Sequence, residues 1–337
     1  MTQPILEIDD LHISFANVGG VTRAVEGVSY QVHPAEMLGV VGESGCGKSV
    51  TAMSVLRLLP GAPATHISGA IRFRGEDLLA ASEQRMQDIR GNEISMIFQD
   101  PMTSLNPVLT IGEQIAEVLI LHERLGKAAA WKRTVELLAL VNIPDPHRRV
   151  KEYPHQFSGG MRQRAMIALA LACNPAVLIA DEPTTALDVT IQAQIMELLD
   201  RLRRDTGTAI VLITHDLGVV AESCDRVVVM YAGRKVEEAS ALELFGNPTH
   251  PYTRGLLGAI PHLDAPLTQP RGRLAEIPGM VPSLRTPAKG CRFADRCPWA
   301  IDLCRRAAPV LEPVSPDQTS HQAACWQVPA AAEKRLA

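Results

Sequence analysis

The sequence predicts an α/β fold with a mainly parallel central sheet, and three observations lead to this prediction. A glycine-rich loop at 42–49 joins the apolar run 37–41 to a helix-like segment over 50–59. Further short apolar runs alternate with helical patterns, as in chains that build a parallel sheet covered on both faces. After residue 255 prolines become frequent and periodic segments rare, which indicates a second, smaller domain over 256–337.

The size and composition describe a globular protein with more than one folded unit. Its 337 residues exceed the usual length of one domain, so a large domain and a smaller one are expected. Apolar residues make up 46% and charged residues 21% of the chain, which excludes an intrinsically disordered protein. The formal net charge of −4 gives no electrostatic reason to expect nucleic acid as a partner.

The N-terminus and the hydropathy pattern indicate a protein that does not enter the lipid bilayer. The first ten residues have neither the basic region nor the apolar core of a signal peptide. No stretch approaches the ~18 apolar residues that a membrane-spanning helix needs. We therefore expect a cytoplasmic protein whose role at a membrane depends on other chains.

Alternating apolar and polar residues predict strands on both sides of the glycine-rich loop. Residues 5–15 and 21–32 alternate in this way around a turn-like segment at 17–20. A short strand is expected at 68–73, after Pro60 ends the first helix. These segments predict a small antiparallel β-subdomain.

Beyond the first helix the pattern alternates between helices and buried strands. A strand at 94–99 precedes helical periodicity at 109–141, so residues from about 100 to 173 are interpreted as a helical subdomain. The elements expected next are a helix at 161–173, a buried strand at 176–180, a helix at 191–202, a buried strand at 209–213 and a hairpin over 225–236. This order predicts a first domain over 1–255.

The loop at 42–49 fits the pattern G-x-x-x-x-G-K-S of nucleotide-binding loops. Its glycines let backbone N–H groups point at phosphate oxygens, and the following helix adds the partial positive charge of its N-terminus. Lys48 is expected to reach the β- and γ-phosphates, and the Ser49 hydroxyl to ligate Mg²⁺. A glycine-rich turn without ligand is the alternative, which the strand before and the helix after disfavour. The residues of this segment assigned to ATP are Gly42, Ser44, Gly45, Cys46, Gly47, Lys48, Ser49 and Val50.

Two carboxylates follow the apolar run 177–180. Asp181, at the tip of this strand, is expected opposite Ser49, where it would hold Mg²⁺ through water. Glu182 is expected to polarise the water that attacks the γ-phosphate. The alternative is a strand that ends in polar turn residues, but a phosphate-binding loop upstream favours the catalytic interpretation.

Ser158, Gly159 and Gly160 open the helix at 161–173. Ser158 is a good N-cap and the glycines leave N–H groups free to approach an anion, although a capped helix start alone would also explain them. Together with this segment, the motifs of the chain resemble those of the ATP-binding subunits of ABC transporters. In that family the motifs follow one another as phosphate loop, glutamine, Ser-Gly-Gly signature, Asp-Glu strand and histidine. The corresponding positions, within a resemblance that covers about 5–255, are 42–49, Gln99, Ser158-Gly159-Gly160, Asp181-Glu182 and His215.

The resemblance implies roles for further residues. Phe15 matches the aromatic residue that stacks on adenine, although a core phenylalanine fits nearly as well. Gln99 matches the residue that contacts Mg²⁺ or the attacking water, and Asp188 matches the loop that communicates across a dimer. His215 matches the histidine that contacts the γ-phosphate, where an isolated histidine would more often be structural. Met161 replaces a glutamine found in many members, which leaves the phosphate-contacting signature intact. The implied catalytic set is Glu182, His215, Lys48 and Gln99.

The resemblance also implies partners. In this family the signature of one subunit contacts the nucleotide bound by the other, so that two ATP molecules lie between two ATPase subunits. ATP then favours the closed dimer, and hydrolysis removes the bridging γ-phosphate. We expect a second, homologous ATPase subunit, two transmembrane permease subunits and an extracytoplasmic peptide-binding protein, with this chain peripheral on the cytoplasmic face of a bacterial inner membrane.

Three segments narrow the resemblance to the dipeptide and oligopeptide importers, in particular to the dipeptide-type D subunit. They are 98–107, 188–194 and 247–253. The expected function is ATP hydrolysis that energises uptake of di- and oligopeptides, and an importer of nickel or another small solute is the main alternative. A soluble, non-transport ABC ATPase would usually carry two cassettes or long coiled coils. A subunit that only binds ATP as a regulator would not need both Glu182 and His215.

Four cysteines lie in the proline-rich C-terminal domain, namely Cys291, Cys297, Cys304 and Cys325. Four thiolates in a reducing compartment suggest a metal site, but their spacing lacks the close pairs that zinc ribbons favour. A [4Fe-4S] cluster also takes four cysteine ligands, and similar tails in dipeptide-type ATPase subunits hold one. We therefore expect such a cluster, with zinc or no metal as alternatives. The other cysteines are interpreted as small buried fillers: Cys46, Cys173 and Cys224.

Overall fold

A computed structural model of the chain describes residues 3–100, 104–185, 188–259, 276–315 and 318–328. Its strands are β1 (Leu6–Asn17), β2 (Gly20–Val32), β3 (Met37–Val41), β4 (Thr65–Phe73), β5 (Glu76–Asp77), β6 (Ile94–Ile97), β7 (Val177–Asp181), β8 (Ala209–Ile213), β9 (Arg226–Tyr231), β10 (Arg234–Ser240), β11 (Glu312–Ser315) and β12 (Gln318–Ala323). Its α-helices are α1 (Lys48–Val55), α2 (Glu83–Ile89), α3 (Ile111–Glu123), α4 (Lys127–Leu140), α5 (Pro146–Arg149), α6 (Gly159–Ala170), α7 (Val189–Thr206), α8 (Leu217–Ser223), α9 (Ala241–Gly246), α10 (Pro251–Gly258) and α11 (Asp302–Arg306).

A central sheet carries the phosphate loop, the name used here for residues 42–49. Within the described residues its eight strands have the order β11-β12-β10-β9-β3-β8-β7-β6. The five strands from β9 to β6 run parallel, whereas β10, β12 and β11 are antiparallel to their neighbours. The predicted α/β fold with a mainly parallel sheet is therefore confirmed. The phosphate loop follows the carboxyl end of β3, the edge at which open parallel sheets bind ligands.

The antiparallel β-subdomain predicted from the N-terminal alternation is also present. Four strands form a second sheet in the order β2-β1-β4-β5, and each pair is antiparallel. Its apolar residues share one core cluster with a face of the central sheet. This sheet therefore covers the central sheet beside the phosphate loop.

Strand β3 shows why strands of the central sheet appear in the sequence as continuous hydrophobic runs. Its five residues are all buried. Met37 and Val41 belong to the core cluster shared with the helical subdomain, while Leu38 and Val40 belong to the cluster shared with the β-subdomain. Because successive side chains of a strand point to opposite faces, both faces of β3 are covered.

The helices predicted at 109–141 and 161–173 are found as α3, α4 and α6. Thr110 begins α3 with a capping box, in which its hydroxyl accepts from the Glu113 N–H at 3.2 Å and Glu113 accepts from the Thr110 N–H at 2.8 Å. Ile111, Ile115 and Leu119 form the buried stripe of this helix. Among the described residues, no helix combines the length and the hydrophobicity required to cross a bilayer.

The first helix is shorter than its apolar pattern predicts. It begins at Lys48 and ends at Val55 rather than reaching residue 59. Arg57 adopts a left-handed backbone with φ of +52°, which interrupts the helix before Pro60. The first helix therefore ends before the left-handed residue Arg57, and Pro60 lies beyond this end.

The C-terminal residues extend the central sheet. Strand β12 pairs with β10, and Glu237 lies opposite Ala323. The Glu237 carboxylate is fully buried and accepts hydrogen bonds from the Thr249 N–H at 2.7 Å, the His250 N–H at 2.9 Å and His321 Nε2 at 2.7 Å. The division into domains at residue 255 remains a prediction.

Candidate active site

Close backbone contacts explain the glycines of the phosphate loop. A Cβ at Gly42, whose φ is +151°, would lie 2.1 Å from the Met230 carbonyl oxygen. A Cβ at Gly47, whose φ is +98°, would lie 2.5 Å from the Ala24 carbonyl oxygen. Side chains therefore cannot be accommodated at these two positions without moving backbone. The loop is exposed at Ser44 and Gly45, buried at Cys46 and half-buried at Ser49 and Val50.

The Lys48 ammonium is folded back into the loop. Its Nζ donates to the carbonyl oxygens of Gly42 at 2.8 Å and Glu43 at 3.1 Å. The residue is only 6% exposed. A buried ammonium bonded to two neutral carbonyls retains a strong preference for an anion. Its position therefore suits a phosphate bound in the loop.

The phosphate loop is joined to the tip of β7 by one hydrogen bond. Ser49 Oγ donates to Asp181 Oδ1 at 3.0 Å. Burial raises the pKa of Asp181 and the neighbouring Glu182 charge adds to the rise, while the Ser49 hydrogen bond opposes it. A hydroxyl and a carboxylate at this distance are hard oxygen ligands of the kind that Mg²⁺ prefers.

Glu182 is held in a strained conformation with its carboxylate fully engaged. Its φ is +48°, and its N–H donates to the Ile213 carbonyl oxygen at 2.8 Å. Gln99 Nε2 donates to Glu182 Oε2 at 3.0 Å, Thr185 Oγ1 donates to the same oxygen at 2.8 Å, and His215 Nδ1 lies 3.4 Å from Oε1. A left-handed non-glycine residue is an unusual feature that clusters at functional sites.

The contacts of Glu182 keep it ionised. Burial raises its pKa, but hydrogen bonds from Thr185 and His215, with the charges of His215 and Lys48, outweigh burial and lower the pKa. The structure therefore brings together Gln99, Glu182 and His215, while their catalytic roles remain predictions. The contact of Thr185 with Glu182 was not predicted, although a threonine three residues after the glutamate could have suggested a local side-chain hydrogen bond.

The signature residues 158–160 contact the start of α6 and the helix α7. Ser158 caps α6 by accepting from the Met161 N–H at 3.4 Å, and a Cβ on Gly160 would lie 3.4 Å from the Ile191 side chain. In the described ranges, the signature makes no hydrogen bond to residues 42–49. Ser158 and Gly159 are exposed, so their N–H groups are available to another molecule.

Two other predicted site residues have structural contacts. Asp188 is the N-cap of α7 and accepts from the Ile191 N–H at 2.9 Å. Phe15 lies in β1 opposite Thr22 and Thr65, and its half-buried ring packs against the core cluster of the β-subdomain. Each keeps an exposed part, and their assignments to ATP and to the dimer loop remain predictions.

The predicted [4Fe-4S] cluster is wrong. The described residues include Cys291, Cys297, Cys304 and Cys325, and in them no group of three or more Cys, His, Asp or Glu side chains is arranged to hold a metal ion. The four cysteines instead border an apolar cavity of about 30 Å³. Burial raises the pKa of Cys291 to about 11 and also raises the pKa of Cys297 and Cys325, which favours thiols over the thiolates that a cluster requires. The other three cysteines, Cys46, Cys173 and Cys224, are buried as predicted.

The fold and the assembled site define an ATPase of the phosphate-loop class. Residues 25–185 match the model of the ABC transporter family, and residues 236–304 match the C-terminal region of oligopeptide/dipeptide transporters. The chain is 57% identical over 326 residues to a probable peptide ABC transporter ATP-binding protein of Sinorhizobium fredii, covering 96% of this chain and 95% of the relative. It is 51% identical over 328 residues to the dipeptide transport ATP-binding protein DppD of Bacillus subtilis, with 96% and 95% covered. The chain therefore belongs to the ABC transporter family, as one of its ATP-binding subunits of the peptide-transport type.

Solved structures agree with this assignment. The dimeric structure of a bacterial ABC transporter cassette superposes with a TM-score of 0.63 at 27% identity, covering 70% of this chain and 98% of the cassette. A dimeric post-hydrolysis state of the same cassette, bound to ADP and phosphate, gives a TM-score of 0.64 at 27% identity with the same coverage. The predicted ABC-type nucleotide-binding fold is thus confirmed.

Proposed function

We propose that this chain hydrolyses ATP to energise the import of di- and oligopeptides across a bacterial cytoplasmic membrane. The Ser49–Asp181 hydrogen bond of 3.0 Å carries the proposal, because it sets the phosphate loop against the strand tip that bears Glu182. The names of the relatives supply the solute class, since those of Sinorhizobium fredii and Bacillus subtilis are described as peptide and dipeptide transport proteins. A peptide importer accounts for both the ATPase site and the C-terminal region at 236–304.

The oxygen ligands at the loop fit a magnesium ion. Ser49 Oγ and Asp181 would hold it, with the Gln99 side-chain oxygen as a further candidate ligand. When bound, Mg²⁺ stabilises the negative charge that develops on the phosphoryl oxygens.

The residues of the site divide the chemistry between them. Lys48 binds the β- and γ-phosphates, which releases its hydrogen bonds to the loop carbonyls. Glu182, ionised because its pKa is lowered, accepts a hydrogen bond from the attacking water. Gln99 and His215 hold the Glu182 carboxylate and orient the water and the γ-phosphate.

The exposed signature supports a paired arrangement. Ser158, Gly159 and Gly160 would bind the nucleotide of a second, homologous ATPase subunit, and Asp188 would lie at the same interface. Two transmembrane permease subunits and an extracytoplasmic peptide-binding protein complete the proposed importer, with this chain on the cytoplasmic face of the membrane. In this arrangement Phe15 contacts adenine, and the proposed domains are 1–255 and 256–337.

Uptake by the assembled importer tests this function. The chain, its partner ATPase and the permease subunits are reconstituted in liposomes with the binding protein outside and ATP inside. We expect uptake of a labelled dipeptide that depends on ATP, is lost in Lys48→Ala and is unchanged in the exposed control Lys289→Ala. Uptake of nickel instead of the peptide would contradict the peptide assignment, and uptake without ATP hydrolysis would contradict the ATPase role.

A further inference from the structure

A residue of the C-terminal segment reaches into the phosphate loop. Arg296 donates through NH1 to Glu43 Oε2 at 2.8 Å and through NH2 to Glu43 Oε1 at 3.0 Å. Glu43 is the second residue of the loop, and 253 residues separate it from Arg296. Two parallel N–H···O bonds fix the carboxylate in orientation as well as in position.

The guanidinium is itself fixed before it meets the loop. Arg296 Nε donates to the Pro278 carbonyl oxygen at 3.0 Å, and NH2 donates to the Ile277 carbonyl oxygen at 3.1 Å. NH1 also donates to the Tyr231 hydroxyl at 3.3 Å. Only 7% of the Arg296 side chain is exposed. Water therefore screens its charge little, and three acceptors besides Glu43 orient the guanidinium.

The backbone of the same loop residue is held by a second C-terminal element. The Glu43 N–H donates to the hydroxyl of Tyr252, a fully buried residue of α10, at 2.8 Å. The Glu43 carbonyl oxygen accepts from Lys48 Nζ at 3.1 Å. The N–H, the carbonyl and the carboxylate of Glu43 are thus all engaged, two of them by residues beyond position 250.

The charge of Glu43 is the reason that this support matters. A carboxylate in a loop that binds polyphosphate repels the ligand unless a cation neutralises it. Removal of one partner from a buried ion pair leaves an uncompensated charge, which is strongly unfavourable. Arg296 is placed to neutralise Glu43 and to hold its carboxylate in a fixed position through two hydrogen bonds.

We propose that Arg296 is a positioning residue for ATP binding, which neutralises Glu43 and fixes the phosphate loop from the C-terminal segment. This inference rests on the proposed ATPase function and adds a role for the segment that carries the cysteines. The segment then supports nucleotide binding through the Arg296–Glu43 contact, and the affinity for ATP depends on the charge balance of this pair.

A double-mutant cycle on the full chain tests the proposal. ATP affinity is measured by titration with a fluorescent ATP analogue, and kcat and KM are measured in the reconstituted importer. We expect Arg296→Ala to weaken ATP binding at least about tenfold, because a partly buried carboxylate, 25% exposed, is left unpaired in the phosphate loop. The double variant Arg296→Ala with Glu43→Gln should recover to within about threefold of the wild type, since the unpaired charge is gone. KM should rise in Arg296→Ala while kcat changes less than about twofold, because Arg296 does not touch the reacting atoms.

Matched variants separate charge neutralisation from a general loss of structure. Arg305→Ala, which removes an exposed pair with Asp295, should bind ATP as the wild type does. Arg296→Lys keeps the charge without the bidentate geometry, and it should bind ATP more tightly than Arg296→Ala. If Arg296→Ala does not fold, the uncharged variant Arg296→Gln, with and without Glu43→Gln, repeats the comparison, and adding Glu43→Gln should restore the ATP affinity.

Three outcomes would overturn the inference. They are unchanged ATP affinity in a folded Arg296→Ala protein, a defect that Glu43→Gln fails to rescue, and a fall in kcat with KM unchanged. Loss of ATP binding in Lys48→Ala together with wild-type binding in Arg296→Ala would reject only the role of Arg296. Failure of the folded wild-type chain to bind ATP would reject the proposed function itself, and this inference with it.

Discussion

Glu182 follows the carboxyl end of β7, and its carboxylate contacts Gln99, Thr185 and His215. We expect Glu182→Gln to lower kcat for ATP hydrolysis by about 100-fold or more, because an amide cannot take up the proton of the attacking water. ATP affinity should stay within about threefold, since Lys48 and Ser49 are unchanged. Steady-state hydrolysis by the assembled importer and ATP titration of the isolated chain measure the two quantities.

An exposed glutamate provides the control for this substitution. Glu197 lies on the outer side of α7 and is exposed, so Glu197→Gln should leave hydrolysis unchanged. Hydrolysis at the wild-type rate in Glu182→Gln would remove Glu182 from its role as the catalytic base.

Gly42 provides a test of the shape of the phosphate loop. The Cβ introduced by Gly42→Ala would lie 2.1 Å from the Met230 carbonyl oxygen and 2.9 Å from Cys46 Sγ. We expect a loss of about 1–3 kcal/mol in the free energy of unfolding, together with loss of ATP binding, because the loop must move to relieve the contact. Thermal unfolding and ATP titration are the measurements.

The control for Gly42→Ala is Gly61→Ala. A Cβ at Gly61 meets no heavy atom within 4 Å, so stability and ATP affinity should both be retained. Wild-type ATP binding by Gly42→Ala would show that the loop tolerates a side chain, contrary to its geometry here.

At the scale of residues, candidate site residues could be predicted from the sequence where a motif has a characteristic local spacing. The loop at 42–49 and the pair Asp181-Glu182 were predicted from their spacing after apolar strands, whereas Gln99 was predicted through the resemblance to ABC transporter subunits. Arg296 could not be found in this way. Its partner Glu43 is 253 residues away, and nothing in a Phe-Ala-Asp-Arg segment indicates which surface the arginine meets.

At the scale of elements, α10 has a cap that should depend on pH. His250 Nδ1 accepts the Tyr252 N–H at 3.1 Å, which requires a neutral ring. Burial lowers the pKa of His250 from 6.5 to about 4. Between these values the unfolded chain binds the proton and the folded chain does not, so the free energy of unfolding falls as the pH falls. The expected contribution is at most about 1.4 kcal/mol per pH unit.

Denaturant unfolding at pH 7.5 and pH 5.0 measures this dependence in the wild type and in His250→Asn. Asparagine can accept the same hydrogen bond through its amide oxygen but does not titrate. Stability should therefore fall less in His250→Asn than in the wild type over this interval. Equal losses in the two proteins would contradict a neutral, buried His250.

The elements themselves were predictable to different degrees. Strands β3, β7 and β8 were located because they are covered on both faces and read as unbroken apolar runs. Strands β11 and β12 were missed, since they are short and have polar sequences without apolar alternation; β11 forms the edge of the sheet and β12 lies next to it. The end of α1 was predicted too late in the sequence, because the left-handed backbone of Arg57 cannot be inferred from the periodicity of apolar side chains.

At the scale of the whole molecule, four cysteines and a resemblance to tails that hold a cluster led to the wrong prediction of a metal cluster. Four cysteines within 35 residues indicate a possible ligand set, but ligation requires side chains that converge at bonding distances. Convergence is decided by the packing of the C-terminal segment on the central sheet, to which β11 and β12 contribute. Residue type and spacing carry no information about that packing.

The exposure of Ser158 and Gly159 in the signature leads to a prediction for the assembled molecule. Ser158→Asp retains an N-cap for α6 but places a carboxylate where the partner's polyphosphate is expected. ATP binding by the isolated chain should be unchanged, while hydrolysis by the assembled importer and ATP-dependent pairing with its partner ATPase should fall at least about tenfold.

Light scattering of the two ATPase subunits, each with its catalytic glutamate replaced by glutamine, measures the pairing with and without ATP. Ser158→Thr, an uncharged cap of similar size, should pair as the unmodified signature does. If Ser158→Asp weakened ATP binding by the isolated chain, the signature would face its own nucleotide. Such a result would contradict the shared site, which is proposed because Ser158 and Gly159 are exposed while the phosphate loop of the same chain is bonded to β7.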